Sequence, residues 1–250
     1  MTPLAVFLHT MLVVALGPVL AGLIRLGSSG GGVRALVAPA RAIGAGLRAP
    51  GQPPLGRLAL LSLAIVAGLL IPLFASDAVL GFLGDGFTAL LLLTGLSVAM
   101  LPVRVATVLA VAAALWTMGA LTGTTDLAQA LVAWPMGPAA FLVFVGLALA
   151  VAPLMQPDTS PVEGLDEAVH AWTRSTLQLG WLALALMTFP VILSITGGIS
   201  FAGALGLFVV KFAVFGPLLA ALATRGARWP LAELGLACSL LALALVKLGI

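Results

Sequence analysis

Long apolar stretches that recur along the whole chain are the feature that most constrains its fold. A membrane-spanning helix needs about 20 predominantly apolar residues, and short polar or proline-containing breaks divide this sequence into segments of roughly that length. The hydropathy pattern predicts about eight spans. They lie at about residues 3–24, 58–75, 87–102, 105–121, 137–155, 176–195, 203–222 and 231–249. We therefore predict an all-α, polytopic integral membrane protein in which residues 1–250 form a single transmembrane helical domain.

The composition agrees with a membrane protein and excludes two other classes. Only 8% of the residues are charged and 62% are hydrophobic, whereas about a quarter of a soluble domain is charged. A water-soluble surface cannot be built from this sequence. The net charge of +3 comes from cations scattered singly between apolar runs, and this pattern lacks the basic face that nucleic-acid binding requires.

The residues that usually carry catalysis or bind cofactors are scarce. Cys238 is the only cysteine, so the chain alone forms no disulfide and no cysteine-rich metal cluster. His9 and His170 are far apart in sequence, and neither belongs to a paired-histidine motif. A Ser-His-Asp set, a phosphate-binding loop and a dinucleotide fingerprint are also absent from the sequence. We expect no catalytic residue, metal or cofactor in this chain, so that any redox centre belongs to a partner.

The distribution of arginines predicts the orientation. A first loop at about residues 25–57 contains five arginines and no acid, and a second lies at about 156–175. With eight spans, all nine arginines fall on one side, whereas Asp77, Asp85, Asp126 and Lys247 fall on the other. By the positive-inside rule the arginine side is cytoplasmic. This predicts a multi-pass protein of the inner (cytoplasmic) membrane with both termini outside, and a first apolar stretch retained as a span rather than cleaved as a signal peptide.

The second loop is the acidic segment of the chain. Its ionisable residues are Asp158, Glu163, Asp166, Glu167, His170 and Arg174. The spacing of Asp166, His170 and Arg174 places them on one stripe of a helix, with acid preceding base. A solvated interfacial helix, a docking surface for a soluble partner and the mouth of a proton path all fit this pattern.

Three arginines of the first loop are spaced seven residues apart. If a helix forms there, Arg34, Arg41 and Arg48 lie on one stripe. Contact with anionic membrane lipids and docking to a partner subunit both remain open for this stripe.

Lys211 lies in the middle of the seventh predicted span. A central lysine costs about 2.5–3.5 kcal/mol in a transmembrane helix, so it should face the protein interior, find a partner or lose its charge. Snorkelling towards the membrane surface is the structural alternative. Glu233 falls in the first turn of the eighth span, where a carboxylate suits the helix dipole. We consider Lys211 and Glu233 candidates for an ion pathway.

Four segments together resemble one family of membrane proteins. They are ALGPVLAGLIR at 15–25, RAPGQPPLGR at 48–57, PDTSPVEGLDE at 157–167, and the stretch from Val210-Lys211-Phe212 to Trp229-Pro230. In this respect the chain resembles the subunit 1 (H-type) membrane protein of complex I. It is more similar to the relatives of that protein in formate hydrogenlyase and other energy-converting hydrogenases. It looks like a shortened member, because only Pro102-Val-Arg104 stands between the third and fourth spans.

This resemblance implies a function. Such a protein would be a non-catalytic subunit that anchors a soluble electron-transfer module and couples electron transfer to proton or sodium movement. Iron–sulfur clusters and a metal centre would belong to soluble hydrogenase-like partners, beside antiporter-like membrane subunits. The resemblance implies functional roles for Lys211, Glu163, Asp166 and Glu167. The alternatives are a small-molecule or ion permease, for which Gly216-Pro217 and Lys211 could frame an anion site, and, less favoured, an enzyme acting on a lipid.

Overall fold

The computed structural model describes residues 3–71, 85–132, 134–135, 137–189, 201–226 and 229–249. Within these ranges the secondary structure is helical, which confirms the all-α prediction, and no β-strand is present apart from an isolated bridge between Asp85 and Asp126. A 3₁₀ turn, Ala152–Leu154, continues α7. The α-helices are α1 (Pro3–Ser29), α2 (Val33–Gly46), α3 (Leu55–Leu69), α4 (Gly86–Ser97), α5 (Val105–Thr122), α6 (Leu127–Val132), α7 (Pro138–Val151), α8 (Leu165–Met187), α9 (Phe201–Arg225) and α10 (Leu231–Leu248).

Four of the described helices are long and apolar enough to cross a membrane. They contain the segments His9–Ser29, Val105–Thr122, Phe208–Arg225 and Leu231–Leu248. The apolar helices Leu55–Leu69, Gly86–Ser97 and Pro138–Leu154 are shorter. The second and sixth predicted spans end at residues 75 and 195, outside the described ranges, and Asp77 and Arg228 also lie outside them.

The outer surfaces of these helices are apolar. Exposed large hydrophobic side chains include Leu91 on α4, Trp116 on α5, Phe141 on α7 and Val210 on α9. A soluble monomer rarely exposes extensive apolar surface, whereas hydrocarbon accepts it. These side chains are therefore suited to contact with lipid.

Helix α8 lies at the centre of the molecule. It contacts α1, α2, α3, α4, α7 and α9, and every residue from Leu177 to Met187 is buried. The indole nitrogen of Trp181 donates a hydrogen bond to the Ser97 hydroxyl at 2.9 Å. The helix begins at Leu165, eleven residues before the predicted start of the sixth span at residue 176. Its first turns are polar, and contacts with other helices, described below, compensate for the polar side chains there.

Helix α1 connects several neighbours through glycines. A Cβ atom on Gly22 would collide with the backbone of Leu36 in α2, and one on Gly27 would collide with the backbone of Pro217 in α9. Glycine is required at both positions because the helix backbones approach so closely. On the other side of the molecule α10 packs against α7 and α5, with Gly235 against Gly146.

Both segments predicted as cytoplasmic loops, residues 25–57 and 156–175, contain helix. Helix α2 forms where the arginine spacing allowed one, because one of its faces buries Pro39, Ile43 and Gly46 while the helix packs on α1 and α8. Arg34 and Arg41 are in this helix, and Arg48 lies two residues beyond its end. Helix α8 accounts for the second part of the other loop.

Candidate functional site

Six polar residues from four separate segments meet where α1 ends and where α3 and α8 begin. We call Arg25, Arg57, Asp158, Asp166, His170 and Arg174 the charged cluster. Asp166, His170 and Arg174 occupy successive turns of α8, as their spacing predicted. Asp158 belongs to the connection between α7 and α8, and the two other arginines come from α1 and α3.

Arg57 joins α3 to the first turns of α8. Its Nε atom lies 3.3 Å from Asp166 Oδ1, and its Nη1 group donates a hydrogen bond to His170 Nδ1. A ring nitrogen that accepts a hydrogen bond carries no proton, so the neutral His170 ring holds its proton on Nε2. Burial, and next the Arg57 cation, lower the pKa of His170, although Asp158 and Asp166 oppose them. The pair of contacts therefore favours a neutral His170.

Asp158 is surrounded by donors from three segments. Its Oδ1 accepts a hydrogen bond from the Ser160 backbone N–H at 3.0 Å, and its Oδ2 lies 3.8 Å from Arg174 Nη1. Arg25 Nη2 donates to the backbone carbonyl of Asp158 at 2.8 Å. Burial alone would raise the pKa of Asp158, but the Ser160 N–H and the Arg174 charge outweigh it and hold the pKa below its usual value. Asp158 is therefore an ionised, internally bound residue.

The connection between α7 and α8 is held from inside the molecule. The buried side-chain amide of Gln178 donates to the carbonyl groups of Leu154 at 2.8 Å and Gln156 at 3.0 Å. Beside it lies a small cavity of about 30 Å³, whose lining includes Arg25, Asp158 and Gln178. That volume accommodates at most a few water molecules. Hydrogen bonds thereby tie the irregular segment 155–164, which we call the fixed segment, to α1 and α8.

The predicted docking acids divide into two groups. Asp158 and Asp166 form ion pairs inside the chain. Glu163 and Glu167 are exposed, and within the described ranges neither forms an ion pair. Glu163 in the fixed segment and Glu167 in the first turn of α8 therefore remain available at the surface. The predicted arginine stripe, Arg34, Arg41 and Arg48, is also exposed.

Sequence reasoning did not assign the contacts of Arg25, Arg57 and Gln178. The two arginines were recognised only as part of the basic first loop, and their partners lie 133 and 113 residues away. Gln178 carried a usable signal, because an amide inside an apolar segment needs a hydrogen-bond partner.

Lys211 is half-buried in the middle of α9. Its Nζ atom lies 5.4 Å from the centroid of the Phe189 ring, a cation–π distance. Phe189 in turn packs edge-on against Phe144, with centroids 4.8 Å apart, and is tilted against Phe215 at 5.1 Å. Among the described residues no carboxylate forms an ion pair with Lys211.

Glu233 is in the first turn of α10, as predicted, and is exposed. Its Oε1 atom lies 3.5 Å from Arg104 Nη1. No ion pair connects it with Lys211 in the part of the chain that the structure describes. The two candidates for an ion pathway therefore lie in different surroundings. The described ranges contain no group of three or more His, Cys, Asp or Glu residues that could hold a metal ion.

The apolar helices, their exposed hydrophobic side chains and the buried central helix define a helical, membrane-embedded protein. Comparison with known protein families and with curated proteins finds no match to this chain.

Proposed function

We propose that this protein is a non-catalytic membrane subunit of a multi-subunit redox complex, which anchors a soluble electron-transfer module to the inner membrane. The proposal rests on the resemblance to the H-type subunits of complex I and energy-converting hydrogenases, and on the geometry of the α7–α8 connection. It includes eight membrane spans, both termini outside, and the charged cluster on the cytoplasmic side.

The observation that carries this proposal is the fixed segment 155–164 with two exposed acids, Glu163 within it and Glu167 just after it. A docking surface gains affinity when its backbone is already ordered before binding. Arg25, Arg174 and Gln178 order this segment from beneath, while Glu163 and Glu167 remain exposed. Cationic side chains of a soluble partner would complement these acids.

The ion pairs support the proposed topology. Arg57 connects the start of α3 with the start of α8, and Arg104 connects the segment before α5 with the start of α10. Eight alternating spans place all four of these points on one side of the membrane. On the opposite side, the bridge between Asp85 and Asp126 joins the starts of α4 and α6.

In this function the chain supplies position and the partners supply redox chemistry. Iron–sulfur clusters and a metal centre would belong to the soluble hydrogenase-like subunits. Lys211 would take part in proton or sodium movement, since a charge in mid-span is costly and usually functional, and antiporter-like membrane subunits would complete the path.

The test is co-purification from native membranes. The tagged chain is extracted in mild detergent and its partners are identified by mass spectrometry. We expect soluble iron–sulfur subunits with the wild type and their loss with Glu163→Lys/Glu167→Lys. Glu233→Lys is the matched control, because Glu233 is also an exposed helix-start acid but lies outside the fixed segment. Recovery of the chain alone, or of the same partners with every variant, would contradict the proposal.

Lys211 favours a second candidate, a permease for a small anion. It lies five residues before Gly216-Pro217 in α9, and a positive charge beside a helix weak point suits an anion path. Uptake of an anion by proteoliposomes that contain only this chain, abolished by Lys211→Met, would favour the permease over the anchor.

A further inference from the structure

We propose that the exposed face of α2 binds the headgroups of anionic phospholipids. This inference does not depend on the proposed function, because it concerns a different surface and would hold for an anchor or for a permease.

The exposed face of α2 is positively charged. Arg34 and Arg41 lie two turns apart on α2, and Arg48 follows its end. Residues 25–57 contain no acid, and within the described ranges no carboxylate pairs with these three arginines. Guanidinium groups bind phosphate oxygens through two parallel hydrogen bonds. The stripe therefore offers three cations to phosphate groups.

Four arginines outside the stripe differ from it in one respect. Arg57, Arg104 and Arg174 each form an ion pair within the chain, and Arg25 donates to a backbone carbonyl. Their charge is partly used to hold helices together. The α2 arginines contribute no such contact among the described residues, so their role lies at the surface.

Helix α2 is held against α1 and α8 by one of its faces. Pro39 and Ile43 are buried where the helix packs against α1 and α8, and Gly22 lets Leu36 approach the α1 backbone. Arg34 and Arg41 therefore extend from the opposite, exposed side of a fixed helix. A fixed helix loses little conformational freedom when a ligand binds.

Exposed apolar side chains lie next to the arginines of the stripe, which favours lipid over a soluble protein. Val33 is 77% exposed and Leu47 is 37% exposed, and each is the immediate neighbour of an arginine of the stripe. Cations next to exposed apolar side chains suit the boundary between headgroups and acyl chains. This combination favours an anionic bilayer surface.

The experiment is a lipid titration of the purified chain in neutral detergent, read by native mass spectrometry. Phosphatidylglycerol is the anionic probe, and phosphatidylcholine with matched acyl chains is the zwitterionic control. We expect the wild type to prefer phosphatidylglycerol. The variant Arg34→Gln/Arg41→Gln/Arg48→Gln should lose about 100-fold in affinity for it, because each cation near an anionic surface contributes about 1 kcal/mol and 1.4 kcal/mol is tenfold. Affinity for phosphatidylcholine should not change.

Three controls sharpen the result. The triple Arg→Lys variant at the same positions keeps the charge and should retain most of the preference. Arg41→Gln should cost about fivefold and Arg104→Gln less than twofold, since Arg104 already has a carboxylate partner. Thermal unfolding of each variant checks that it is folded, and the single variants provide the test if the triple Gln variant does not fold.

Equal affinity of the wild type for the two lipids would overturn the inference. A folded triple Gln variant that still prefers phosphatidylglycerol would also overturn it, because the lipid would then bind elsewhere. If the folded triple Gln variant keeps its lipid preference but no longer co-purifies with soluble partners, the three arginines form a protein-docking surface.

Discussion

The charged cluster and Lys211 show two different ways in which this protein keeps charge at buried or half-buried positions. In the cluster Asp158 faces Arg174, and Asp166 faces Arg57, so each charge contributes to holding helix ends together. Beside Lys211 lies the aromatic ring of Phe189. A cation–π contact contributes about 0.5–1 kcal/mol at an exposed site and about 2 kcal/mol or more when desolvated, so it offsets part of the cost of a central lysine. The charges of the cluster therefore have partners inside the chain, whereas among the described residues no carboxylate pairs with Lys211.

The largest effect on stability is expected from Arg174→Ala. It leaves Asp158 without its charged partner in a pair whose side chains are only 20% and 23% exposed. Removal of one member of a fully buried pair costs about 3–5 kcal/mol, so we expect a loss of about 2 kcal/mol here. Thermal unfolding in detergent should show a midpoint about 4–8 °C lower. An unchanged midpoint would mean that the cluster does not hold the helices together.

Lys211→Met should have the opposite sign. It removes a costly charge at the price of a cation–π contact, so we expect the free energy of unfolding to rise by about 1 kcal/mol. The same thermal measurement applies. A loss of stability would show that Lys211 has a strong partner. It would contradict the contrast between Lys211 and the charged cluster.

The pH dependence of stability tests His170. Its pKa in the folded protein is below the ordinary value of 6.5, so the unfolded chain binds the proton first as the pH falls. The contribution of His170 to stability should therefore be fully present above about pH 6.5 and be lost as the pH falls from there. His170→Gln should reduce this decline, and the difference between the two curves isolates the His170 contribution. Asp158 acts in a separate window, because its lowered pKa affects stability only below about pH 4. Identical curves for the wild type and the variant above pH 5 would contradict the lowered pKa of His170.

The smallest effect is expected at the exposed pair of Arg104 and Glu233. Their side chains are 58% and 50% exposed, and such pairs contribute at most about 1 kcal/mol. Arg104→Gln should change the free energy of unfolding by less than about 0.5 kcal/mol. A cost comparable to that of Arg174→Ala would show that exposure does not separate the two kinds of pair.

Much of the helical framework follows from the sequence, because apolar segments of membrane length are a strong signal. The break after α4 is an example: Pro102 lies between Ser97, where α4 ends, and Val105, where α5 begins. The predicted sixth span does not include the first turns of α8, for a physical reason. Asp166, His170 and Arg174 lower the local hydropathy, although the tertiary contacts of the charged cluster compensate for them. The six-residue α6 is too short to show periodicity.

The site was predictable only in part. The i, i+4 spacing correctly placed Asp166, His170 and Arg174 on one helix. Their partners come from α1, α3 and the α7–α8 connection, and no local pattern in one sequence specifies which distant arginine meets which acid. The cation–π neighbour of Lys211 belongs to the same category, since Phe189 lies 22 residues away in sequence.

The most direct test of the proposed arrangement is cysteine labelling in intact cells. The background is Cys238→Ser, which removes the only native cysteine. Thr159→Cys places a thiol in the exposed part of the fixed segment, and Thr125→Cys places one beside Asp126, on the side that the proposed topology puts outside. A membrane-impermeant maleimide should label Thr125→Cys in intact cells and Thr159→Cys only after the membrane is opened. Labelling of Thr159→Cys in intact cells would place the charged cluster outside and contradict the docking of a cytoplasmic redox module.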